Sequence, residues 1–142
     1  MIALLDINFL IALFDSAHVH HAAAESWFMN HRKLGWATCP LSENGCIRIL
    51  SQPNYSGGLA LAEVSRRLKN ATMQKDHVFW PDSLSFHDDE RVNVTRVLSP
   101  RWITDVYLLA LAVEHGGRLV TFDQGIPLSA VRRATSKNLL VL

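Results

Sequence analysis

The chain alternates short, wholly apolar runs with longer stretches whose apolar positions recur at helical spacing. Residues 1–5 read as a buried strand, and Ile7–Phe14 as a short helix following at once. His20 to about Arg32 is helical, Ala-rich and carries the pair Trp27-Phe28. Gly35–Thr38 is a second strand ending at Pro40, after which Ser42 begins a helix to about Leu50. Gln52-Pro53-Asn54 stops that helix, and Ser56-Gly57-Gly58 marks a loop. Another helix runs to about Gln74, and His77–Trp80 is a third strand. Asp88–Leu98 reads as a helix with a solvated acidic start, Asp88-Asp89-Glu90, and Pro100 beyond it. Ile103–His115 is apolar nearly all round, which predicts a buried helix closed by Gly116-Gly117. Arg118–Phe122 is a fourth strand and Leu139–Leu142 a last one. Short apolar strands alternating with helices predict an α/β fold, a parallel sheet covered on both faces.

That class gives one interruption a meaning. In MIALLDINFLIALF a single carboxylate, Asp6, breaks an apolar run at the end of the first strand. The run is too short for a membrane span, and it lacks the basic start and cleavage site of a signal peptide. Asp6 has a plain reading as an N-cap. Parallel sheets, however, bind ligands beyond the carboxyl ends of their strands, and three more acids fall at that rim. Asp123 follows the fourth strand, Glu43 lies in the first turn of the helix after the second, and Asp105 in the first turn of the buried helix. Singly, each suits a turn or a helix dipole. Each also adjoins strongly apolar sequence, where an unpaired charge is costly to bury, and gathered carboxylates raise one another's pKa. A cluster of four is tolerable around a cation. Oxygen-only ligands select hard ions, Mg²⁺ or Mn²⁺.

Composition narrows the setting. The chain has 142 residues, 49% of them hydrophobic, and no linker or repeat, so it reads as one domain, 1–142. Cys39 and Cys46 match no zinc or haem spacing and are expected to be reduced thiols in the cytoplasm. The net charge is +1, but setting four acids aside leaves 14 basic residues against 9 acidic ones. Arg66-Arg67-Leu68-Lys69 and Arg132-Arg133 with Lys137 form stripes that suit a phosphate backbone or a solvated helix face equally.

The pieces LLDINFLIALF, HxHHAAAxxWF at 18–28, TCPLSENGCIRILSQP at 38–53, ITDVYLLALAVEHGGRLVTFD at 103–123 and the following GIP span nearly the whole chain. In that order they resemble the PIN-domain ribonucleases, specifically the VapC toxins of toxin–antitoxin modules. The resemblance implies a PIN-like three-layer sandwich, with a central, mostly parallel five-stranded sheet in the order 3-2-1-4-5 and helices on both faces. That order sets the first and fourth strands side by side, bringing Asp6 towards Asp123. Asp6, Glu43, Asp105 and Asp123 match the family's acidic quartet. The first, third and fourth are expected mainly to bind metal, and Glu43 to bind metal or position water. Asn8 and Thr121 match supporting polar positions. The resemblance further implies a Mg²⁺- or Mn²⁺-dependent endoribonuclease, a homodimer, an RNA substrate and a cognate VapB-type antitoxin. The apolar helix Phe9–Phe14 and the 56–75 region are expected to offer that partner a groove.

Other residues carry less. His18, His20 and His21 are expected to pack or cap at a helix start rather than bind a transition metal, and the four tryptophans to serve core or interface. Arg48 has no single reading. A non-catalytic RNA-binding or scaffolding PIN-like domain is the alternative function. A haloacid-dehalogenase-like phosphatase requires a second aspartate where this chain has Asn8, and a receiver domain lacks its acidic pair and lysine.

Overall fold

The computed structural model describes all 142 residues. Five strands form one sheet: β1 (Ala3–Leu5), β2 (Trp36–Thr38), β3 (His77–Phe79), β4 (Arg118–Thr121) and β5 (Leu139–Val141). Their order is β3-β2-β1-β4-β5 and every pairing is parallel. The helices are α1 (Ile7–Phe14), α2 (His21–His31), α3 (Pro40–Leu50), α4 (Leu61–Thr72) and α5 (Ile103–Glu114). Three layers result, as expected from the chain.

The period of two along the strands divides the core. Leu4 and Leu119 face α5, where Val106, Leu108, Leu109 and Leu111 bury their side chains. Ala3, Leu5 and Val120 face the other way, towards Phe9 and Leu10 of α1, Phe28 of α2 and Leu50 of α3. Burial on both faces is why β1 and β4 read as unbroken apolar runs. On the α1 side the helices approach closely. A Cβ on Gly45 would lie 2.5 Å from Ile7 Cδ1, so a glycine in mid-helix lets α3 rest against the start of α1. That contact fixes the segment carrying Asp6.

Two expectations need correction. α3 begins at Pro40 rather than Ser42, because Pro40 takes the first helical position, where its missing N–H is no loss. Asp88–Leu98 is not an α-helix: it contains a turn, an isolated antiparallel bridge between Val92 and Val131, and a 3₁₀ turn at Val94–Arg96. Beside local turn bonds it makes two to a distant segment, Asn93 N–H to the Ala130 carbonyl and Arg132 N–H to the Arg91 carbonyl. Arg91 meanwhile pairs with Asp88 and with Glu114 of α5. Tertiary partners and the burial of Val92 override the helical spacing. Trp36 and Trp80 are buried, while Trp27 and Trp102 are partly exposed. No helix is long and apolar enough to cross a membrane.

Candidate metal centre

Because β1 and β4 are parallel neighbours, with Leu5 in register with Val120, the residues just beyond them emerge together. Asp6 is 1% exposed and does cap α1: its Oδ1 accepts the Phe9 N–H at 2.6 Å. Its second oxygen, Oδ2, accepts from the Thr121 hydroxyl. Thr121 Oγ1 also accepts the Asp123 N–H at 2.9 Å, so one buried side chain ties the two acids into a single frame. Asn8, in the first turn of α1, donates from Nδ2 to Asp123 Oδ2 at 2.8 Å. Asp105 arrives from the first turn of α5.

The outcome is a group of three carboxylates, from Asp6, Asp105 and Asp123, with ligand oxygens all within 4.8 Å of one another. None of the three is in a salt bridge. Two like charges at that separation repel by about 3 kcal/mol even at an effective dielectric near 20. An N-cap is worth only about 1 kcal/mol, so capping does not account for the gathering. Burial pushes the Asp6 carboxyl up to about 7 against the hydrogen bonds from Thr121 and Phe9, with the charges of Asp123 and Asp105 adding to the rise. Burial, then the Asp123 charge, pushes Asp105 up to about 6. The acids border an open hollow of about 560 Å³, with Asn8, Arg101, Trp102, Thr104 and Gln124 among its other walls.

Glu43 stands apart from this group. It lies in the first turn of α3, half-buried, and its Oε1 accepts from the Thr38 hydroxyl at 2.5 Å. Thr38 Oγ1 also lies 2.8 Å from His77 Nε2. The hydroxyl proton is given to Glu43, so the histidine nitrogen donates to Thr38. Three of the four expected acids therefore converge, and the fourth stands outside their group, held by a hydroxyl at the end of β2.

The remaining candidates resolve into packing. His18 Nδ1 accepts the His20 N–H, the His21 ring bonds the Ala12 carbonyl, and His20 stacks on Phe122 with ring centroids 4.5 Å apart. The H-x-H-H stretch holds the start of α2 and forms no ligand group. Arg48 is exposed on α3. Sequence reasoning passed over Arg101 and Thr38. Thr38 heads the TCPLSENGCIRILSQP stretch, but its bond to Glu43 is visible only in the fold, as is the place of Arg101 on the wall of the hollow.

A model of the PIN domain matches residues 3–133. The chain belongs to the PIN domain family. Ribonuclease VapC44 of Mycobacterium tuberculosis is 44% identical to this PIN domain over 142 residues, covering 100% of both chains. Ribonuclease VapC39 of the same species is 42% identical over 135 residues, covering 92% of this chain and 94% of its own. Two crystal structures share the architecture. Mycobacterium tuberculosis VapC20, described as a sarcin-ricin loop cleaving toxin, superposes with a TM-score of 0.62 at 11% identity, over 91% of this chain and 95% of its own. PAE2754 from Pyrobaculum aerophilum superposes at 0.60 with 24% identity, over 98% and 83%. At those identities both speak for the fold, including the five-stranded parallel sheet.

Proposed function

We infer that this PIN domain is an endoribonuclease of the VapC type, the toxin of a toxin–antitoxin pair, hydrolysing RNA phosphodiester bonds with a divalent cation. The observation that carries the metal dependence is the convergence of Asp6, Asp105 and Asp123 without an ion-paired cation. Their donor set fits a hard ion, Mg²⁺ or Mn²⁺: all oxygen, mutually repelling, with one member almost wholly buried. When bound, such an ion offsets phosphate charge and acidifies water.

The chain's own residues have distinct parts in this reading. Asp6, Asp105 and Asp123 hold the ion. Thr121 and Asn8 fix the orientation of Asp6 and Asp123 through the hydrogen bonds described. Glu43, held by Thr38, orients the attacking water and takes its proton, a part open to a carboxylate that stands outside the metal group. Hydrolysis by water leaves a 5′-phosphate and a 3′-hydroxyl. A phosphatase with an aspartate nucleophile is disfavoured further, because Asn8, at the position of its second acid, has its amide committed to Asp123.

A second, smaller cavity supports a docking place for the antitoxin. It measures about 150 Å³ and is lined by Phe14, Leu50, Tyr55, Leu59 and Val64, where α1, α3 and α4 meet. An apolar cleft of this kind suits the apolar face of a partner segment, and an antitoxin arginine reaching the three aspartates accounts for inhibition by charge. The homodimer and a cytoplasmic location belong to the same proposal.

Purified protein incubated with RNA and Mg²⁺ or Mn²⁺, with and without chelator, tests the reading. Cleavage that stops on chelation and leaves 5′-phosphate ends is expected. Ends bearing 2′,3′-cyclic phosphate, or cleavage indifferent to chelator, overturn it, and RNA binding without cleavage points to a scaffold.

A further inference from the structure

The hollow around the three aspartates carries a positive charge on its wall that is not spent on them. Arg101 sits in the 3₁₀ turn Pro100–Trp102, which leads directly into α5, and lines the hollow together with Asp6, Asp105 and Asp123. A guanidinium with carboxylates in reach ordinarily closes into a two-pronged pair. Arg101 does not: it takes part in no salt bridge, and its side chain is exposed.

The indole next to it supplies the reason. Arg101 Cζ lies over the Trp102 ring, 4.3 Å from its centroid, a cation–π arrangement. Trp102 is itself only partly exposed, and its six-membered ring rests near Gly125, where an added Cβ would come within 3.5 Å of Cζ2. The platform lies between the turn before α5 and the loop after β4, the turn leading into the helix that carries Asp105 and the loop holding Asp123. A guanidinium held flat on that platform keeps N–H donors open to solvent at the rim. Were Arg101 present to neutralise the acids, it would lie on them.

We propose that Arg101 is a substrate-binding residue, donating to a phosphate oxygen of the RNA strand beside the bond to be cut, with Trp102 the positioning residue beneath it. The proposal rests on the ribonuclease reading for the identity of its ligand. An RNA strand approaching three carboxylates meets repulsion, and a fixed cation at the rim offsets it where the strand enters. Arg101 is the one cationic side chain among the walls of the hollow, and a contact from it to phosphate holds the strand whatever its sequence.

The test uses Arg101→Gln, Arg101→Lys and Trp102→Leu, with a short fluorescein-labelled single-stranded RNA of mixed sequence. Anisotropy in Ca²⁺ across a KCl series gives affinity and its salt slope, cleavage in Mg²⁺ gives KM and kcat, and Mn²⁺ titration gives metal affinity. For Arg101→Gln, RNA affinity is expected to fall about tenfold and the log–log salt slope to become shallower by about 0.7, the value for one single-strand phosphate contact. The loss appears mainly in KM, and Mn²⁺ binding is not weakened. Arg101→Lys keeps the slope and regains part of the affinity, while Trp102→Leu weakens RNA binding with the slope retained. Unchanged affinity and slope in Arg101→Gln, no RNA binding by the wild type, or weakened Mn²⁺ binding overturns the proposal. If the wild type binds but does not cut RNA while the slope still falls, Arg101 keeps its role and the ribonuclease reading is lost.

Discussion

Thr121 and Asp6 stand at the ends of adjacent parallel strands, and the threonine hydroxyl donates to the aspartate while accepting the backbone N–H of Asp123. One buried hydroxyl thereby sets the spacing of two acids that lie 117 positions apart in the chain.

Thr121→Val is close to isosteric but offers neither bond. The Asp123 N–H and Asp6 Oδ2 each lose a partner in a buried setting. Removing one partner of a buried polar group costs about 1–3 kcal/mol. Thr121→Val should unfold at lower denaturant and bind Mn²⁺ more weakly, with Thr121→Ser recovering most of both. A valine variant with wild-type metal affinity would show that Thr121 does not position the centre.

The raised carboxyls give the metal-free protein a pH dependence of unusual sign for an acid. Asp6 stands at about 7 and Asp105 at about 6 in the fold, against an ordinary value of 3.8. The folded state binds more protons between those limits, so stability falls as pH rises. Their contribution is fully present below about 4 and is lost as pH passes through about 6 and then about 7. His77, whose pKa burial lowers, works the other way over part of this range. The difference between wild type and Asp6→Asn isolates the carboxyl. Without metal, Asp6→Asn should gain stability over wild type between about pH 5 and about pH 8, with cleavage abolished and the fold retained. Retained cleavage would reduce Asp6 to a cap.

Divalent metal acts on the same groups in competition with protons. Saturating Mg²⁺ should raise the wild-type Tm more at about pH 8 than at about pH 5.5, and Asp6→Asn should lose most of that difference. A Mg²⁺ effect of equal size at both pH values, or one undiminished in Asp6→Asn, would place the ion elsewhere.

Much of this centre was legible along the chain because its acids sit where local rules can see them: after a strand, or in the first turn of a helix. Periodicity could not say that β1 and β4 are neighbours. Strand order is a long-range property, and the family resemblance supplied it. The 88–98 segment misled for the same reason. Its spacing fits a helix, yet Asn93 and Arg132 make their backbone bonds across the chain, to Ala130 and Arg91. Glu43 was open to two readings along the chain, a metal ligand or a residue that positions water. What separates it is Thr38, which heads the TCPLSENGCIRILSQP stretch yet carries no sign along the chain of its bond to Glu43.

On the proposed reading, that separation gives the acids different tasks. Thr38 has one hydroxyl proton, gives it to Glu43 and receives a bond from His77, so the carboxylate is oriented from the β2 side. If Glu43 manages water rather than metal, Glu43→Gln should lower kcat about 10²-fold or more, the usual worth of a placed general base. Its Mn²⁺ affinity should change little. Asp105→Asn removes a ligand oxygen and should weaken Mn²⁺ binding at least about tenfold, as much as the loss of an outer-shell partner does. Thr38→Val should follow Glu43→Gln in direction with a smaller loss of kcat, and Thr38→Ser should restore it. Isothermal titration with Mn²⁺ beside single-turnover cleavage separates the two effects. Equal losses of metal affinity in Glu43→Gln and Asp105→Asn would mean that four acids share the ion, with the Thr38 mooring released when it binds.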